Sequence, residues 1–185
     1  MKIIRKENIG SWILRRIRKG AIFIYPTDTI YGIGCNAMNF DSVERICNIK
    51  ERYNKPFSVI APSKKWIAEN CEVNDKKILD NLPGAYTLVL KLRNKKCISK
   101  NVNNNLNTLG VRIPDHWIKN IVEKLNIPII TTSVNKTSKK FMTSLNDMDK
   151  NIFNKIDFII YNGEIRGIPS QIIDLSKEKI SARKR

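Results

Sequence analysis

Histidine is nearly missing from this chain. His116 is the single one, which excludes His-rich metal centres and two-histidine relays by counting. A Ser-His-Asp triad would have to use His116, and no G-x-S-x-G elbow accompanies it. Cysteine is scarce as well: Cys35, Cys47, Cys71 and Cys97 contain no C-x-x-C pair to start a zinc site or a redox dithiol. Four free thiols in a reducing cytosol fit that spacing. No apolar run approaches the roughly 18–20 residues that cross a bilayer, and MKIIRKENIGSW lacks the apolar stretch and cleavage site of a signal peptide. The chain reads as soluble and cytoplasmic, with no membrane partner. A G-x-x-x-x-G-K-[ST] loop is also absent, so no standard P-loop cradles a nucleotide.

Acidic residues are few: 17 Asp and Glu stand against 34 Lys and Arg, a net charge of +17. Such a balance suits polyanionic partners such as nucleotides, RNA or acidic membrane surfaces. Lys, Asn and Ile are all frequent here, however, and an AT-rich genome over-supplies these residues. Composition alone leaves both readings open, and what matters is where particular cations sit.

With 185 residues, the chain is long enough to bury a core without disulfide or metal staples, and residues 1–185 are expected to fold as a single domain. Ile9, Trp12, Ile13, Arg16 and Ile17 follow helical spacing up to Gly20. Residues 21–25 read as a buried strand stopped by Pro26. Asp41 and Glu44 form a capping-box variant for a second helix ending near Tyr53. Further strands are expected over 57–61, 86–90, 109–113, 127–132, 157–161, 171–175 and 179–182. Helical segments are expected near 64–69, 75–82, 115–125 and 147–154, and the Asn-rich stretch 101–107 as a mobile loop. Interleaved strands and helices predict an α/β fold, an open mixed sheet with helices packed on it.

Gly32-Ile33-Gly34-Cys35-Asn36-Ala37 matches G-x-G-x-x-A formally, but a dinucleotide fingerprint must run straight from strand into helix, and residues 26–31 intervene. The whole segment YPTDTIYGIG says more. A strand ends at a proline and delivers two threonine hydroxyls and a carboxylate into a loop, either to meet a ligand or to satisfy turn amides. Lys50, Arg52 and Lys55 form a cation cluster at a helix end. Helix-dipole compensation would explain it, and so would a triphosphate. Residues 131–135, TTSVN, bring hydroxyls and an amide to the end of another strand. Arg112 sits in an otherwise apolar strand and needs an anion, a structural carboxylate or a substrate one.

In order, YPTDTIYGIG, K-x-R followed by Lys-Pro, PGAYTLVL, GVRIP and SVN in place of the usual SAN resemble the YrdC family of L-threonylcarbamoyl-AMP synthases, over residues from about 21 to 175. The resemblance implies a twisted α/β sheet with a deep, positively charged concavity. There ATP, L-threonine and bicarbonate or CO2 would give threonylcarbamoyl-AMP and pyrophosphate for tRNA modification. It implies Lys50 and Arg52 as catalytic residues, and Thr27, Arg112 and Ser170 as threonine-site residues. Lys50, Arg52, Lys55, Thr87, Ser133, Asn135 and Arg183 would border the nucleotide. Mg2+ would come with ATP rather than on an Asp-rich cage. Implied partners are weakly bound tRNA and downstream threonylcarbamoyl-transferase proteins. The family's usual S-T is here Ser170-Gln171, its R-x-G close is Arg183-Lys184-Arg185, and the chain resembles the short form. The competing class is a non-catalytic RNA-binding module using the same basic surface.

Overall fold

The computed structural model describes residues 2–137, 139–177 and 181–183, the side chains of Lys2 and Arg183 excepted. A short strand β1 (Lys2–Ile4) precedes helix α1 (Ser11–Arg18), which turns Ile13 and Ile17 inward. Gly20 follows at φ +95°, the left-handed region that a residue without Cβ enters freely. In β2 (Phe23–Tyr25) side chains alternate between the two sheet faces, so Phe23 and Tyr25 pack in one apolar cluster while Ile22 and Ile24 pack in another.

Helix α2 (Phe40–Lys50) starts one residue earlier than expected. Asn39, not Asp41, is the cap, its side chain accepting from the Ser42 amide at 3.0 Å. It also ends earlier, at Lys50 instead of near Tyr53. Glu51 turns left-handed at φ 51°, and the Arg52 and Glu51 amides close back on Cys47 and Asn48 in a Schellman arrangement.

The remaining elements are β3 (Gly32–Gly34), β4 (Ser58–Ile60), α3 (Lys64–Asn70), β5 (Tyr86–Lys91), β6 (Thr108–Arg112), α4 (Ile118–Leu125), β7 (Ile129–Ser133), α5 (Lys150–Phe153), β8 (Phe158–Ile160), β9 (Gln171–Asp174) and β10 (Ser181–Arg183). Residues 76–81 form a tight 3-10 turn. The expected strand over 179–182 falls partly outside the described residues. The strands form one mixed sheet in the order β1-β8-β2-β3-β7-β4-β6-β5-β9-β10. Helices α1 and α4 cover one face through Ile13, Ile17, Ile121 and Leu125, and α2 and α5 cover the other through Val43, Ile46 and Ile152.

Two strands were not expected, β1 and β3. Gly32 and Gly34 lower the β propensity of β3 locally, and only its pairing between β2 and β7 makes it a strand. The stretch 101–107, expected to be mobile, is a tied turn. Asn101 donates to the Phe40 carbonyl, and buried Asn103 donates to the carbonyls of Leu106 and Thr108. Asn104 and Asn105 take positive φ, which asparagine tolerates.

Candidate functional site

The register of β3 against β7 pairs Gly32 with Ser133, so the loop leaving β2 and the polar end of β7 emerge side by side. Within that loop the Thr27 hydroxyl accepts from the Thr29 and Ile30 amides at 3.1 and 3.2 Å and lies 2.7 Å from the Ile30 carbonyl. Thr27 therefore ties the turn together. The buried Thr29 hydroxyl, 3.0 Å from that of Thr27, accepts from Arg112.

Arg112 is 4% exposed, and its anion is Asp28, with Nη2 donating to Oδ1 at 2.5 Å. Asp28 Oδ2 accepts from the Asp115 amide at 3.0 Å. Arg112 Nη1 reaches Thr29 Oγ1 at 3.3 Å, while Nε is buried without a partner among the described residues. Burial pushes the Arg112 guanidinium below its ordinary value, and the Asp28 charge pushes it back up.

From the far side of the sheet, Thr87 on β5 meets Ser170 in a buried hydroxyl pair at 2.8 Å. Ser170 ends a strap, residues 161–170, that crosses the loop after β2. Gly167 lies so close to it that a Cβ there would stand 1.6 Å from the Thr29 carbonyl oxygen. Tyr31 latches the strap's start by donating to the Gly163 carbonyl at 2.6 Å and accepting from the Asn162 amide at 3.0 Å. Burial raises the Tyr31 phenol to about 12, so it stays a neutral donor.

Lys50, at the end of α2, is 2% exposed. Its ammonium donates to the Ser133 and Asn135 carbonyls at 2.5 and 2.7 Å and to Asn135 Oδ1 at 3.0 Å, while the Ser133 hydroxyl donates to Asn135 Oδ1 at 2.6 Å. Arg52 folds over the next turn, donating to the Lys55 and Pro56 carbonyls at 3.2 and 2.6 Å with its guanidinium 5.1 Å from the Phe57 ring. Half-burial lowers its pKa. Lys55 is exposed.

Thr27, residues 29–32, Arg112, 131–133 and 169–170 enclose one pocket, with Asp28 behind Arg112. Of the expected residues, Thr27, Arg112, Ser133 and Ser170 line it. Lys50 and Asn135 reach it through Ser133, and Thr87 through Ser170. Arg52 and Lys55 stand on the turn beyond. The Arg183 side chain lies outside the described residues. The strap keeps the pocket tight, with about 10 Å3 open to water, roughly the room for a single molecule. A larger hollow of about 460 Å3 surrounds Trp66 and Pro128, and none of the expected residues whose side chains are described line it.

Apart from Ser170, the strap, like Asp28, Thr29 and Tyr31, is assigned no role by the sequence. The carboxylate and second hydroxyl in YPTDTIYGIG were the available signal, but their partners lie 83 to 132 residues away. His116 sits beside Trp117, ring centroids 5.0 Å apart, with its pKa lowered by burial, and it does not line the pocket. Among the described residues no three His, Cys, Asp or Glu gather as a metal site, and no helix is long and apolar enough to cross a membrane.

Residues 15–184 match the Sua5/YciO/YrdC family, whose description reads "telomere recombination". The chain is 37% identical over 182 residues to a putative threonylcarbamoyl-AMP synthase of Methanocaldococcus jannaschii, covering 95% of this chain and 84% of that one. It is 32% identical to the threonylcarbamoyl-AMP synthase of Pyrococcus abyssi, of which it spans 53%. The crystal structure of P. abyssi Sua5 complexed with L-threonine superposes with a TM-score of 0.85 at 29% identity, over 98% of this chain and 56% of that one. Escherichia coli YciO shares the fold at a TM-score of 0.83 and 22% identity, over 99% of this chain and 93% of that one. With a family match along nearly its whole length and this mixed sheet beneath it, the chain belongs to the Sua5/YciO/YrdC family.

Proposed function

We propose that the protein is an L-threonylcarbamoyl-AMP synthase, a nucleotidyltransferase acting on ATP, L-threonine and bicarbonate or CO2. The observation that carries the reading is the Gly32–Ser133 register. It brings the Thr27–Thr29 loop with Arg112 to the same edge as the Lys50–Ser133–Asn135 cluster. An amino-acid subsite beside a phosphate subsite is what this condensation requires. The synthase relatives support it, as does the likeness to a threonine-bound structure.

In this reaction the threonine amine, once deprotonated, adds to the carbon of CO2 to form a carbamate. A carbamate oxygen attacks the α-phosphorus of ATP, and the α–β anhydride breaks to release pyrophosphate. No covalent nucleophile is needed, so the protein's work is positioning and charge neutralisation. Arg112 and Thr29 hold the amino acid, with Thr27 shaping their loop and Ser170 closing the wall. Ser133 and Asn135, oriented by Lys50, border the nucleotide with Thr87. Arg52 and Lys55 meet the phosphates from the rim. Mg2+ enters as MgATP, with phosphate oxygens and water as most of its ligands.

The adenylate would pass to downstream threonylcarbamoyl-transferase proteins acting on tRNA, with weak tRNA affinity of this chain's own basic surface. ATP-dependent tRNA modification assigns it to the cytoplasm, which four free thiols support.

Incubation with ATP, Mg2+, L-threonine and bicarbonate, followed by mass spectrometry, should yield the threonylcarbamoyl-adenylate anhydride with matching pyrophosphate. Folded protein that yields neither sinks the assignment. ATP and threonine should also raise the melting temperature, whereas an RNA-binding module would be indifferent to both.

A further inference from the structure

Arg112 divides its donors unevenly. Nη2 goes to Asp28, Nη1 to Thr29, and Nε is buried with no partner among the described residues. Leaving a buried guanidinium donor unsatisfied is unfavourable, so this wall suits an acceptor that the described residues do not supply. Asp28 is held at both oxygens, Oδ1 by Arg112 and Oδ2 by the Asp115 amide. A carboxylate fastened between two segments in this way fixes the plane and direction of the guanidinium that it grips.

We propose that Asp28 is a positioning residue for amino-acid capture, holding Arg112 so that its Nε meets the substrate carboxylate. This rests on the synthase reading above. The idea differs in sign from plain electrostatics. Asp28 is an anion beside an anion-binding site, so removing its charge should tighten carboxylate binding if field alone matters. If direction matters, removal should weaken it, because the freed guanidinium turns away or loses its tilt.

Asp28→Asn is the test, since an amide has one acceptor oxygen and can serve Arg112 or the Asp115 amide but not both. Full-length protein is titrated calorimetrically with L-threonine, L-threoninamide and ATP. The variant should bind L-threonine about ten-fold more weakly or worse, lose its preference for threonine over threoninamide by a similar factor, and bind ATP within about two-fold of the original. Threonine affinity that stays equal or improves overturns the proposal. Should circular dichroism show Asp28→Asn unfolded, Asp28→Glu replaces it. The longer carboxylate keeps the charge but moves the guanidinium, and undiminished threonine binding there also overturns the idea. The unmodified protein supplies a check without any variant, because equal affinity for threonine and threoninamide would mean that no carboxylate is captured. If the unmodified protein binds no threonine at all, the synthase reading itself fails, an outcome distinct from a variant that binds as well as its parent.

Discussion

The ammonium of Lys50 donates to the backbone carbonyl of Ser133, 83 residues farther along the chain. It joins the last turn of α2 to the exit of β7. The two segments that carry the polar groups of the proposed nucleotide side are thus fixed to each other through one buried cation.

Lys50→Met keeps the apolar stem and removes the donors. Pyrophosphate release from ATP should fall by about 100-fold or more. Chemical denaturation should show a loss of about 1–3 kcal/mol, because the Ser133 and Asn135 carbonyls lose a buried donor. Full activity would count against the assignment.

Arg52→Ala should abolish pyrophosphate release with a smaller stability change, about 0.5–1.5 kcal/mol, since its carbonyl partners lie on a solvated turn. A variant that unfolds more readily than Lys50→Met would contradict that ordering.

Thr87→Val and Ser170→Ala remove the two ends of one buried hydrogen bond. A double-mutant cycle in urea should give a coupling of about 1 kcal/mol, with the double variant less destabilised than the sum of the singles. Additive losses would show that the pair does not act as a unit.

Gly167→Ala puts a methyl group into the Thr29 carbonyl, so the strap must lift. The expected cost is about 1–3 kcal/mol in melting or denaturant experiments, together with a raised KM for threonine. An alanine variant with unchanged stability and KM would mean that the strap is free to shift.

Burial raises the Cys97 thiol to about 11 and the Cys71 thiol to about 12, from 9.0. The folded state therefore keeps protons that the unfolded chain gives up. Stability from these groups is whole below pH 9 and declines as pH climbs toward 11 and 12. At pH 8 a thiol reagent should label Cys71 and Cys97 slowly in native protein and fast in denaturant. Rapid native labelling of both would contradict their burial.

Much of the fold was legible because apolar periodicity and punctuation agree locally. Ile13 and Ile17 with Gly20 mark α1, and Tyr86–Lys91 carries its own β-branched and aromatic pattern. Where local signals compete, the reading slipped. Asn39 displaced Asp41 as a cap, and asparagines that look like loop formers in 101–107 bond their own turn. β3 was invisible because its glycines disfavour a strand until β2 and β7 flank it.

The sequence by itself determined the chemistry on offer: hydroxyls, amides and cations at strand ends, one arginine in an apolar strand, and no histidine or cysteine constellation to act in their place. Tertiary structure alone decided the pairings. Arg112 needed some anion by its solvation energy, but only the path of the loop between β2 and β3 brought Asp28 to it. Thr27 could have served a ligand or its own turn, and the backbone path gave its hydroxyl the turn amides while keeping the residue in the pocket wall. Such choices depend on contacts between residues far apart in the chain, which local propensity does not encode.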